Sequence, residues 1–259
     1  MSSQIKNEHE AAIQEFMSKL AECTINTPEP PIACGRSYVR ISKLVDWLQS
    51  EDTVLFRNYK TTRATILLGY AYHNWKGHLP MSREKLFDGE YRCIIVFSIL
   101  LKLGWGHLIH LFRNHQLVDS KLPIYDLVHL KQTLVMMKEQ SELPDDVPAN
   151  PDEIAEAFDM AQYRFKPAVF QLEEFPTYNR KWIIPIHTKE KINEKGGTAT
   201  LWQIEVLAEF VDDKLKDVVE SSLYNNEEDT LGPVSYTCIL KIHYPLTLDL
   251  HLVSATILH

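Results

Sequence analysis

The segment that decides the fold is residues 182–206, WIIPIHTKEKINEKGGTATLWQIEV, followed after a polar insertion by residues 236–241, YTCILK. Residues 201–206 alternate well enough to form a strand, and residues 236–240 form a short apolar run that leads into Lys241. Gly196 and Gly197 lack Cβ atoms, so the backbone between the first two strands can reverse sharply or lie close to another group. A glycine pair also sits in ordinary hairpins. The segment therefore predicts strand, glycine turn, strand and, after the insertion, a strand that ends in lysine.

This order resembles the beginning of the nucleotide-binding lobe of a protein kinase. More specifically, the chain is similar to fungal protein-kinase-like proteins that carry a helical domain ahead of the kinase domain. The similarity rests on WIIPI as the first strand, on EKINEKGGTATLWQIEV in place of the glycine-rich loop, and on CILK in place of V-A-I-K. Residues 93–124 resemble the segment that these proteins place before their kinase lobe.

The resemblance implies a binding site for ATP with magnesium, of the Ser/Thr kinase type. The residues that would line this site are Ile192, Gly196, Gly197, Thr198, Leu201 and Lys241. In the kinase frame the glycine turn cradles the phosphates, the lysine approaches the α and β phosphates, and the two large apolar residues cover the adenine. Relative to G-x-G-x-x-G-x-V, one glycine is kept, while Glu194 and Ala199 replace the first and third glycines.

Other parts of the kinase frame do not occur in these 259 residues. A kinase needs a glutamate on the helix after the lysine, and H-R-D and D-F-G segments that supply the base and the metal ligands. Residues 242–259 contain no glutamate, and the chain contains neither segment. We therefore expect no phosphoryl transfer, which makes the chain a pseudokinase or a fragment.

The last residues of the chain alternate with the period of a strand, Leu246, Leu248, Leu250 and Leu252 forming one row. We expect this tail to be foreign to the kinase frame, through truncation or altered splicing. An incomplete lobe would leave a sheet face and an edge uncovered, which predicts marginal stability or self-association.

Upstream of this sheet, apolar residues recur at helical spacing. Residues 4–23 predict an amphipathic first helix, and residues 93–101, CIIVFSILL, are apolar all round and predict a central buried helix. Pro151 suits the first turn of a helix at its start. The remaining predicted helices are residues 39–48, 61–72, 83–103, 108–117, 125–138 and 152–163, with a helix-like insertion at 209–223.

Proline-rich stretches divide the chain. Residues 24–35 carry three prolines and a glycine, and residues 143–152 carry three prolines and three aspartates. The predicted fold class is α+β, a mainly helical amino-terminal domain followed by a partial kinase-like antiparallel β lobe. The predicted domains are residues 1–35 (helix and proline-rich connector), 36–180 (helical domain) and 181–259 (partial lobe). The boundary moves to Pro144 if the intervening helix does not pack on the bundle.

Composition limits the class of partner. A net charge of -8 argues against a large nucleic-acid surface, because phosphate binding needs clustered lysine and arginine. The longest apolar run is shorter than the roughly 20 residues that cross a bilayer, and the first residues do not form a secretory signal. The four cysteines, Cys23, Cys34, Cys93 and Cys238, are too widely spaced to indicate a zinc site or a disulfide framework. A reduced, cytoplasmic or nuclear setting is expected.

Two further clusters have simpler interpretations than a reactive site. His107 and His110 are three residues apart with His115 nearby, a spacing that can present imidazoles to zinc. No glutamate completes H-E-x-x-H, and surface or core histidines are the simpler interpretation. Asp145 and Asp146 lie among prolines, which favours a solvated turn over an acid/base pair.

Two functions follow from the sequence. In the first, the chain belongs to the kinase family and binds ATP but is inactive. In the second, it is a non-catalytic interaction or scaffold protein that binds an unknown protein partner through its helical domain. The absence of H-R-D and D-F-G favours the interaction function for this polypeptide. Kinase-family membership would then describe its ancestry.

Overall fold

The computed structural model of the chain describes residues 2–28, 36–54, 59–73, 79–139, 150–171, 181–192, 199–219, 223–224, 235–243 and 252–255. The chain divides into two compact units. The first comprises Met1–Thr24 and Val39–Lys166, and the second comprises Ile25–Tyr38 and Pro167–His259. Helices combine with small antiparallel sheets, so the predicted α+β class is confirmed.

Helices dominate the first unit, and most lie where the apolar spacing predicts them, with small shifts at their ends. They are α1 (Ser2–Glu22), α2 (Ile41–Gln49), α3 (Arg63–Ala71), α4 (Arg83–Leu86), α5 (Ile94–Lys102), α6 (Ile109–Asn114), α7 (Leu127–Glu139) and α8 (Pro151–Phe165). Helix α8 packs on α7 and α5. Of the helices described, none is long and apolar enough to cross a bilayer.

Helix α5 is the centre of this unit. Residues 94–101 are all buried, as their uninterrupted apolar sequence predicts. The helix ends at Lys102, and two residues later Gly104 has a φ of 81°, in the left-handed region that favours glycine. Trp105 N–H donates to the Leu100 carbonyl and Gly104 N–H to the Leu101 carbonyl, which satisfies two of the last carbonyls of the helix.

The prediction of one helix over residues 83–103 is wrong. The structure contains the short helix α4, a 3₁₀ turn at Gly89–Tyr91, and then α5. Gly89 has a φ of 33°, which an α-helix does not allow. The first turn of α5 is instead closed by Asp119, whose carboxylate accepts from Ile95 N–H and Val96 N–H at 3.0 Å each.

Short strands accompany the helices. Strand β1 (Thr24–Asn26) pairs with β2 (Ser37–Val39), where the chain passes between the two units. Strand β3 (Glu51–Val54) pairs antiparallel with β4 (Tyr59–Thr62) in the first unit. Apolar periodicity does not predict these strands, because three or four residues carry too little alternation.

The second unit is built on an antiparallel sheet. Its strands are β5 (Ile186–Lys191), β6 (Ala199–Leu207), β7 (Leu223–Tyr224), β8 (Ser235–His243) and β9 (Leu252–Ala255). The order is β5-β6-β8-β7, and β9 also pairs with β8. Helix α9 (Asp213–Val219) lies in the insertion between β6 and β8, where a helix is predicted. The strand predicted in the tail is present as β9, while residues 246–251 lie outside the described ranges.

The insertion is anchored to the segment that precedes the sheet. Phe170 N–H donates to the Phe210 carbonyl at 2.8 Å, and Asp212 N–H donates to the Phe170 carbonyl at 2.9 Å. The Phe210 ring meets the ring of Tyr38 edge-on, with centroids 5.2 Å apart. The start of the insertion therefore packs on the sheet unit itself.

Candidate functional site

Two residues of the predicted nucleotide site lie directly opposite each other in the sheet. Leu201 on β6 pairs with Lys241 on β8 in the antiparallel register. Strands β5 and β6 also pair, so the glycine turn connects two neighbouring strands. Ile192 follows β5 directly, and its side chain is 47% exposed. Gly196, Gly197 and Thr198 belong to a part of the chain that the structure does not describe.

The sheet buries one row of β6 along most of its length. Trp202 is half-buried, and Ile204 and Val206 are buried. In the alternate row Leu207 is buried, but Gln203 is exposed. Residues i and i+2 of a strand share a face, so position 201 belongs to the same row as Gln203.

The buried row carries an aromatic ring close to a lysine at the β5 end. Lys189 Nζ lies 5.3 Å from the centroid of the Trp202 ring, within the distance of a cation–π interaction. Lys189 pairs with Ile204, and Lys191 pairs with Trp202, in the β5–β6 register. The end of β5 therefore carries alternating charges, Lys189, Glu190 and Lys191, of which Lys189 lies over the Trp202 ring.

The helical unit contains a surface groove that the sequence does not predict. It has a volume of about 740 Å³ and is lined by Asn114, His115, Gln116, Leu117, Lys121, Pro123, Ile124, Tyr125, Asp126 and His129. Asp126 accepts from His129 N–H at 2.9 Å and so caps the start of α7. The lining residues all lie between the end of α6 and the first turn of α7, and their sequence has no motif that identifies a groove.

The histidines considered as zinc ligands have protein partners. His110 Nδ1 lies 2.8 Å from the His107 carbonyl oxygen and 3.0 Å from Tyr72 Oη. Burial raises the pKa of Tyr72 above its ordinary value. Within the described ranges, no three His, Cys, Asp or Glu side chains come together as a metal site needs.

Asp119 is a buried carboxylate that the sequence reasoning missed. Its residue surface is 8% exposed, and Arg92 Nε lies 3.6 Å from Oδ2. Burial raises the pKa of Asp119 to about 6. The hydrogen bonds from the start of α5 and the charge of Arg92 lower this pKa, but burial has the larger effect. A lone aspartate in a polar stretch carries no sequence signal of this role. Its partners are 23 and 24 residues earlier in the chain.

The described free thiols are not poised for nucleophilic chemistry. Cys23 and Cys93 are both buried. Burial raises the pKa of the Cys93 thiol to about 12 and also raises the pKa of Cys23. Because the thiolate is the nucleophile, both side chains act as small apolar groups.

No family model, curated protein or solved structure matches this chain. The kinase resemblance therefore stays a prediction from the sequence segments WIIPI, EKINEKGGTATLWQIEV and CILK.

Proposed function

We propose that the sheet unit binds an adenine nucleotide with magnesium and does not transfer its phosphoryl group. The observation that supports this function is the register of the antiparallel strands β5, β6 and β8, which puts Leu201 opposite Lys241. A kinase lobe needs the same order of strands, with the glycine turn between the first two and the lysine on the third.

The residues fit such a ligand in their chemistry. Lys241 would direct one positive charge at the α and β phosphates, and backbone N–H groups of residues 196–198 would face the phosphate oxygens. Ile192 and Leu201 would cover the adenine. When bound, magnesium would neutralise part of the phosphate charge.

Binding without transfer follows from the composition of the chain. The 259 residues hold no H-R-D and no D-F-G, so no aspartate stands in either motif to act as base or metal ligand. Nucleotide binding would then serve as a signal or as a structural support of the sheet.

The test is calorimetric titration of the full-length chain with ATP and magnesium, beside Lys241→Met. Lys214→Met is the matched control, because Lys214 is an exposed lysine on α9 that is not among the predicted site residues. We expect saturable binding that Lys241→Met weakens at least about tenfold, a loss of about 1.4 kcal/mol, and that Lys214→Met leaves unchanged. Equal affinity of the two variants, or no heat of binding to wild type, would refute the proposal.

A second candidate function is capture of a protein partner by the helical unit. The observation that favours it is a set of exposed large apolar side chains on α7 and α8, among them Val128 and Met160. Affinity capture with the full-length chain, with excess free chain as competitor, tests whether any protein binds specifically. If excess free chain does not reduce the amount of protein captured, the capture is not specific, which would count against the partner function.

A further inference from the structure

Helix α7 carries apolar side chains on two opposite faces. Leu130, Leu134 and Met137 point into the core and are fully buried. On the outer face, Val128, Val135 and Met136 are 63%, 41% and 45% exposed. These three residues have the spacing i, i+7 and i+8, which puts them on the same side of the helix; this outer stripe also contains the exposed, polar Gln132. A surface helix of a globular protein normally has one such stripe and a polar opposite face.

Helix α8 runs antiparallel to α7 and extends this surface. The Gln162 side chain accepts from Ile124 N–H at 2.7 Å, before α7 begins. Lys131, further along α7, is paired with Asp152 and Glu156 in the first half of α8. The late part of α8 therefore lies beside the early part of α7.

Exposed apolar residues are concentrated on this hairpin. Among the described residues nine large hydrophobic side chains are exposed, and five of them lie between residues 125 and 160. Those five are Tyr125, Val128, Val135, Met136 and Met160, the last 78% exposed. Single exposed apolar residues are ordinary, but a group on one face marks an interaction surface.

The charge beside the stripe identifies the class of partner. Asp152, Glu153 and Glu156 are exposed on α8, and Lys131 is the cation that lies between two of them. Three carboxylates outnumber Lys131 and Lys138, which lies seven residues further along the same side of α7, so this flank is net acidic. An acidic flank repels the phosphates of anionic lipid and of nucleic acid, and attracts lysine and arginine.

We propose that the outer face of the α7–α8 hairpin binds an amphipathic helix of a protein partner. The helix would have an apolar seam on the stripe and lysine or arginine on the side that faces α8. This is the helix-in-groove mode of recognition, read as apolar anchors at helical spacing. The inference gives the surface and partner chemistry of the second candidate function, on which it rests, and is independent of nucleotide binding.

The test uses a fluorescent synthetic peptide of about 18 residues, long enough for helical anchors, with a leucine seam and flanking lysines. Two controls are a peptide of the same composition in scrambled order and a peptide with glutamate for lysine. We expect fluorescence anisotropy to show that the full-length chain binds the designed peptide at least about tenfold more tightly than either control. Equal binding of the scrambled peptide would overturn the proposal, since charge alone would then explain it.

Variants assign the binding to the surface. Val128→Gln combined with Val135→Gln should abolish it without changing charge, and Glu153→Gln combined with Glu156→Gln should weaken it and reduce its salt dependence. Met17→Gln with Leu79→Gln changes exposed apolar residues elsewhere and should have no effect. If the valine variant still binds the peptide, the outer face of α7 is not the binding surface and this proposal is wrong. The broader partner function would still be tested by affinity capture. If the wild-type chain is a dimer and the valine variant is a monomer, the surface binds a second copy of this chain, and the proposal of a different protein partner is wrong.

Discussion

Helices α5 and α7 both carry apolar residues around much of their circumference, but only α5 is buried on every side. Residues 94–101 of α5 are surrounded by the rest of the helical unit. In α7, Leu130 and Leu134 are buried, whereas Val128 and Val135 are exposed. Apolar residues therefore occupy two different environments in the two helices. In α5 they stabilise the fold, and in α7 part of them faces solvent.

The largest expected difference between the two helices is the effect of truncating a side chain. Phe97 on α5 has no exposed surface, so Phe97→Ala removes contacts and leaves a cavity. We expect the free energy of unfolding of the helical unit to fall by about 3–5 kcal/mol. Val135→Ala on α7 should change it by less than about 0.5 kcal/mol. Urea unfolding followed by far-UV circular dichroism measures both, and similar losses would break the distinction between the helices.

A second difference lies at the start of α5, which depends on a residue far away in sequence. Asp119→Ala leaves the N–H groups of Ile95 and Val96 buried without their acceptor, which costs about 1–3 kcal/mol. Asp119→Asn keeps an acceptor oxygen and should cost less. Hydrogen exchange by mass spectrometry should show faster exchange in the α5 peptide of the alanine variant. Unchanged exchange there would mean that burial alone holds the helix.

Asp119 also makes the stability of the helical unit depend on pH. Its pKa in the folded protein is about 6, above the ordinary value of 3.8, so the folded state binds the proton more tightly. The resulting stabilisation is complete below 3.8 and is lost as pH rises through about 6. Relative to Asp119→Asn, the wild-type free energy of unfolding should fall on the order of 1 kcal/mol from about pH 5 to pH 7. Parallel pH profiles of the two proteins would contradict this assignment.

The helical core could be predicted from sequence because its signal is local. The apolar run of α5 and the proline at the start of α8 each specify an element within a few residues. The prediction missed the break between α4 and α5 although Asp88-Gly89 is a local turn signal. The capping of α5 could not be predicted, since it depends on Asp119 reaching back from far along the chain. Tertiary hydrogen bonds of this kind leave no periodic pattern.

The two candidate sites also differ in how far the sequence predicts them. Strands β6 and β8 lie where apolar alternation predicts them, and their register brings Leu201 opposite Lys241. The prediction of WIIPI, residues 182–186, as the first strand is wrong: β5 is Ile186–Lys191, and residues 182–185 form no strand. Both faces of α7 carry large apolar residues, so their presence alone does not tell how much of the outer face is exposed. Burial in the folded chain makes that distinction.

The smallest expected effect tests whether the outer face of α7 is free in the folded chain. Met136→Gln replaces a side chain that is 45% exposed with a polar one of similar length and similar helix propensity. If nothing in the chain covers this face, the free energy of unfolding should stay within about 0.5 kcal/mol of wild type. Met137→Gln is the matched control, since Met137 is fully buried and the amide would lose its hydrogen bonds to water, at about 1–3 kcal/mol. Chemical denaturation of both variants decides the point. A loss above about 1 kcal/mol for Met136→Gln would mean that the outer face is packed within the folded chain, which would leave no surface there for a partner helix.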